Sequence, residues 1–170
     1  NAHFHDARVE GLPEDAGLDF VTSFDCLHDM SHPQAVMRAI RRAIRPDGVW
    51  LICDIKARDS YEENVKKNPM ATMMYGASVL TCMSSAMSEP HGAGLGTLGF
   101  SENVARKMCS EAGFTRFESL DFGHPVNAFH ADVHVAQLLL LEHAGELHAL
   151  EPGDVAWERQ PVDDPARRVF

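Results

Sequence analysis

Residues Leu18 to Phe24 alternate apolar and polar side chains between Gly17 and Asp25, the period-two pattern of a strand with one buried face. Ser31 then offers a capping hydroxyl and Pro33 a proline at an early helical position. Val36, Ala39, Ile40, Ala43 and Ile44 recur at helical spacing until Arg45-Pro46-Asp47-Gly48, which reads as the helix stop. Val49 to Ile55 is a near-continuous apolar run, as expected of a strand covered on both faces of a parallel sheet. Strand, helix and strand in this order predict a βαβ unit with a right-handed crossover.

From about residue 57 to 99 the alternation stops. Met-rich stretches around Asn68–Tyr75 and Val79–Met87 read as short helices of an insertion, filling a core or walling a substrate pocket. Ser101 caps another helix, with Val104, Ala105, Met108, Cys109 and Ala112 as its apolar stripe and Gly113 at its end. Thr115–Phe122 and Ala128–Val135 alternate as further strands. Residues 130–170 form an unfamiliar tail, helical near 135–150 and then charged, proline-punctuated and expected to be poorly ordered.

Composition narrows the function classes. The 170 residues are 45% hydrophobic and carry a net charge of −10, a globular balance that disfavours binding to nucleic acid or to anionic membranes. No apolar run approaches the roughly 18 to 20 residues that span a bilayer, and no signal pattern opens the chain, so a cytoplasmic protein is expected. Arg38, Arg41, Arg42 and Arg45 fall mainly on one side of the first helix and read as a solvated face. Cys26, Cys53, Cys82 and Cys109 are widely spaced without a C-x-x-C pair, which argues for reduced thiols and against a zinc site. His130, Asp132 and His134 would share one strand face, as would His3 and His5, but neither set has a further ligand cluster. No metal is expected.

Two motifs carry candidate chemistry. Gly94-Leu-Gly-Thr-Leu-Gly99 matches G-x-G-x-x-G, yet the preceding segment has no strand character, so a glycine loop is favoured over a phosphate loop. Asp25, His28 and Asp29 lie just beyond the carboxyl end of the first strand, and Asp54 near the end of the next. Ligands of open α/β sheets bind at that edge. Two carboxylates and an imidazole there suit cation binding, acid–base work or hydrogen bonding to a cofactor, or merely cap strand ends.

The run Leu18–Asp29, the helix ending Ala43-Ile-Arg-Pro-Asp-Gly48 and the strand Val49–Asp54 resemble the second half of class I S-adenosylmethionine-dependent methyltransferases, closest to the group with an N-terminal winged-helix-like domain. The Met-rich insertion, the glycine string and Ala112-Gly-Phe114 also look like that group, and the likeness covers residues 1–129. It implies an α/β fold: a partial Rossmann-like, mostly parallel sheet flanked by helices and lacking the family's first strands. By position, the resemblance assigns Asp6 and Ala7 to the adenine, and Ser23, Phe24 and Asp25 to the methionine moiety of S-adenosylmethionine. It assigns His28 and Asp29 to the transfer site, and Met74, Tyr75 and Cys82 to the acceptor wall.

Family segments with the glycine-rich cofactor loop and the ribose-binding acid have no counterpart here. Without the first strand, Asp6 should not reach adenine in the usual way, and an apolar sheet edge should stand bare where that strand belongs. The expected function is methyl transfer to a small apolar or aromatic acceptor. The alternative is a catalytically dead fragment that acts as a partner-binding module, with homo-oligomers forming through the sheet edge.

Overall fold

The computed structural model describes residues 11–12, 17–132 and the backbone of 168–169. Strands β1 (Leu18–Phe24) and β2 (Ile44–Ile55) run parallel, joined by α1 (Pro33–Ala43), so the predicted βαβ unit is present. Alternation sorts the side chains of β2 between two faces. Trp50 and Ile52 join Met37, Ile40 and Ala43 of α1 in the larger core cluster. Val49 and the half-buried Leu51 join Phe20, Leu120, Phe129 and Ala131 in a smaller one. Fully buried Trp50 packs 4.8 Å from the Phe114 ring and donates its indole N–H to Ser23 Oγ at 3.1 Å, the partner a buried tryptophan requires.

Two local expectations are corrected. Strand β2 begins at Ile44, not Val49, and takes in Arg45-Pro46-Asp47-Gly48 as an irregular stretch: Leu18 pairs with Ile44 and Phe20 with Val49, so the register shifts between them. Glycine is required at 48, where a Cβ would stand 2.7 Å from Ile44 Cγ1 and 3.0 Å from the Leu18 carbonyl oxygen. Ser31 does not cap α1. Its hydroxyl donates to the Ser85 carbonyl at 3.0 Å, which leaves His32 at the N-cap without a side-chain bond.

The insertion forms α2 (Tyr61–Lys67), α3 (Ala71–Leu80) and α4 (Cys82–Ala86). Helix α5 (Glu102–Ala112) opens on Ser101, whose hydroxyl accepts from the Val104 N–H, and closes at Gly113 with φ +95°. Its Ala105, Cys109 and Ala112 face the larger core cluster. Arg41 of α1 donates to the Gly113 carbonyl at 3.1 Å and Arg45 pairs with Asp19 at 2.6 Å, so part of the arginine face is bound within the molecule.

Strands β3 (Phe117–Leu120), β4 (Asn127–Asp132) and β5 (Arg168–Val169) complete a sheet of order β3-β4-β2-β1-β5. The α/β, partial Rossmann-like architecture is as predicted. The sheet is mixed, however: β1 pairs in parallel with β2 and β5, whereas β4 is antiparallel to both β2 and β3. β4 also crosses the expected boundary at 129. The outer edge of β1 is partly covered, with Leu18 and Phe20 paired to β5. The segment 21–24 has no strand partner on that side among the described residues. Asp6, Ala7 and the helical piece expected near 135–150 lie outside the described residues. Among the described residues no helix is long and apolar enough to cross a membrane.

Candidate active site

Beyond β1 the chain reverses at Asp25, whose φ of +45° is a left-handed conformation that aspartate tolerates better than most residues. Its N–H donates to the Cys53 carbonyl at 2.8 Å, and its carboxylate accepts from Asn127 Nδ2 at 2.7 Å. The reversal feeds a 3-10 turn, Leu27–Asp29, anchored by fully buried Leu27. That anchor sets His28 against Asp54 at the end of β2. Both side chains are buried, and His28 Nδ1 meets Asp54 Oδ1 at 2.5 Å. The same oxygen accepts from the Ile55 N–H at 2.7 Å.

With Nδ1 committed to Asp54, Nε2 is the nitrogen left for chemistry. It stands 3.2 Å from Asp29 Oδ1, close enough for an ion pair, yet that oxygen is buried without a hydrogen-bond partner, as is Asp54 Oδ2. The sulfur of Cys82, at the start of α4, lies within 4.8 Å of the imidazole and of the Asp29 carboxylate and accepts from Thr97 Oγ1 at 2.9 Å.

Burial works against charge on His28, but the hydrogen bond and negative charge of Asp54 outweigh it, with Cys82 and Asp29 adding to the effect. The imidazole pKa rises to about 9. Asp25 is raised too, first by burial and then by the charge of Asp54. Burial, with Asp25 and Asp54 nearby, pushes the Cys53 thiol up to about 11. Burial beside Asp132 pushes Cys109 up to about 12. Both thiols stay protonated near neutrality, in keeping with four free cysteines.

The sequence-derived site residues divide into two sets. Asp25, His28, Asp29 and Cys82 come together around the imidazole. Phe24 is 57% exposed at the strand end, whereas Ser23 turns inward to accept from Trp50. Met74 and Tyr75 of α3 face α2 instead: Met74 Sδ accepts from Asn68, and the Tyr75 hydroxyl accepts from Asn64 Nδ2 at 3.1 Å. Met74 lines a separate cleft of about 350 Å³ with Arg58, Lys67 and Met70. A larger cleft of about 540 Å³, lined by Lys56, Asp59, Ser119, His124 and His130, lies along β3 and β4 and does not include His28.

Asp132 is held by the Arg116 guanidinium and backbone N–H, and His130 Nδ1 by Ser119; His134 lies outside the described residues. The glycine string follows α4 rather than a strand. Gly96 has φ +68°, and a Cβ there would meet Ser78 Oγ at 2.7 Å. Its N–H donates to the His28 carbonyl at 3.2 Å, so the loop secures the Leu27–Asp29 turn. Sequence reasoning placed Asp54 near the site without pairing it to His28, and it missed Asn127 and Thr97. Register between β1 and β2 was the available signal for Asp54. Asn127 and Thr97 arrive from distant segments that carry no local motif.

Comparison with known proteins bears on the family and the fold. Residues 1–113 match the methyltransferase domain family. No curated protein matches the chain. The solved structure of human N-acetylserotonin methyltransferase in complex with SAM superposes with a TM-score of 0.51 at 18% identity, over 78% of this chain and 33% of that one. An O-methyltransferase family protein from Burkholderia thailandensis gives a TM-score of 0.48 at 18% identity, over 75% of this chain and 33% of that one. The present chain thus spans about a third of the length of these structures. Since the family match takes in β1, α1, β2, the insertion and α5, the chain belongs to the methyltransferase domain family.

Proposed function

We propose that the chain serves S-adenosylmethionine-dependent methyl transfer to a small aromatic acceptor bearing a hydroxyl group, with His28 as general base and Asp54 as its positioning residue. The observation that carries this reading is the buried 2.5 Å contact between His28 Nδ1 and Asp54 Oδ1, placed beyond the carboxyl ends of two parallel strands.

The described residues fit the methyl-donating end of the cofactor. Phe24 offers an exposed aromatic face there, with Asp25 beside it, while the Ser23 hydroxyl is already engaged by Trp50. When bound, the cofactor supplies an electrophilic methyl group. His28 Nε2 takes the acceptor proton, entering where Asp29 and Cys82 now stand, and Asp54 holds the imidazole and stabilises the imidazolium that forms. With its pKa raised to about 9, His28 is mostly imidazolium near neutrality, so the proton-accepting neutral form, and with it the transfer rate, should rise as pH climbs toward 9. The acidic charge and free cysteines support a cytoplasmic setting with a small-molecule partner.

Calorimetry with S-adenosylhomocysteine tests the cofactor assignment. Micromolar binding to this chain is expected, and its absence would refute the catalytic reading. One observation favours a competitor: residues 21–24 on the outer edge of β1 lack a strand partner among the described residues. A binding module without catalysis predicts no cofactor binding and concentration-dependent self-association in the ultracentrifuge.

A further inference from the structure

We infer that His28, Asp29 and Cys82 also form a binding site for a thiophilic divalent cation, with Zn²⁺ as the representative ion. One ligand atom from each lies within 4.8 Å of the other two. In a tetrahedral site, nitrogen and oxygen ligands each about 2.0–2.1 Å from zinc stand about 3.3 Å apart. His28 Nε2 and Asp29 Oδ1 are 3.2 Å apart, already at that spacing. Only the Cys82 sulfur, on the first residue of a short helix, must close in.

The surrounding groups strengthen the assignment. Asp54 binds Nδ1, which leaves Nε2 to the metal and supplies the carboxylate–histidine support common behind metal-bound imidazoles. The Thr97 hydroxyl donates to the Cys82 sulfur at 2.9 Å and so fixes where that sulfur stands. Asp29 Oδ1 is buried without a hydrogen-bond partner, a costly arrangement that a cation would relieve. Sulfur and imidazole donors select zinc over magnesium or calcium. Three protein ligands leave a fourth position open, and the thiol proton and any Nε2 proton pass to solvent as the metal binds. Absence of a C-x-x-C pair hid this site in the sequence, because its third ligand enters from the insertion.

The inference stands apart from the methyl-transfer reading and is measured without cofactor or acceptor. Where both hold, bound metal occupies Nε2 and blocks proton transfer. The test is titration of the reduced chain with Co²⁺, followed by thiolate-to-cobalt charge-transfer absorption and by competition with Zn²⁺. Wild type should show one such site. Cys82→Ser should abolish the band, Cys26→Ser should keep it, and Asp54→Asn should weaken binding about 10- to 100-fold. No thiolate band in wild type, a band that survives Cys82→Ser, or loss of the band in Cys26→Ser alone would overturn the proposal.

Discussion

The sheet with α1 and α5 and the Met-rich insertion of α2, α3 and α4 are stabilised in opposite ways. The first is held by apolar burial: Trp50, Leu27, Met37 and Ala105 are fully buried in one contiguous cluster. The insertion leaves Met73, Val79, Leu80 and Met87 more than half exposed and is tied down by polar hooks. Asn64 bonds Arg58, Ser60 and Tyr75; Ser78 accepts from the Thr97 N–H; and Ser31 reaches across to Ser85. The candidate site lies where the two meet. The sheet layer holds His28 and Asp54 together, while among the described residues α2, α3 and α4 bring Cys82 to them. Side chains can therefore vary in the insertion without disturbing the His28–Asp54 pair.

Substitutions that break this contrast should rank in a definite order. Trp50→Ala removes the largest fully buried side chain and should cost about 3–5 kcal/mol by urea denaturation. If it cost under about 1 kcal/mol, the sheet layer would not be the source of stability. The pH dependence of the same measurement, taken with chelator present, isolates the His28–Asp54 pair. Because the folded pKa of His28 is raised to about 9 from an ordinary value near 6.5, its contribution is fully present below about pH 6.5. It is lost as pH rises through about 9. The loss should be about 3 kcal/mol, and Asp54→Asn should flatten the profile.

Two smaller effects probe the insertion itself. Asn64→Ala leaves the Arg58 N–H without its side-chain acceptor and should cost about 1–3 kcal/mol, read as faster amide exchange confined to the insertion. Leu80→Ala, at a position 79% exposed, should change stability by less than about 0.5 kcal/mol. A larger loss would show that α3 packs on something.

What the sequence revealed follows the same division. The βαβ unit was legible because period-two and helical patterns there are driven by burial against a single core, and Ser101 and Gly113 bounded α5 through local capping alone. The site was half legible. Asp25, His28 and Asp29 are contiguous with the end of β1, so strand topology placed them. The register irregularity at residues 45–48, the Ser31–Ser85 bond and the orientation of Met74 and Tyr75 toward α2 depend on contacts between segments far apart in the chain. No local period encodes these. Methionine in particular adapts to whatever shape surrounds it, so composition could not say which of these side chains reach the imidazole.

The central claim is that His28, positioned by Asp54, accepts the acceptor's proton during methyl transfer. Transfer of a labelled methyl group from S-adenosylmethionine to a panel of phenols, compared between wild type and His28→Gln, tests it most directly. The prediction is a rate loss of about 10²- to 10⁴-fold in the variant, with affinity for S-adenosylhomocysteine unchanged. Undiminished transfer by His28→Gln would contradict it.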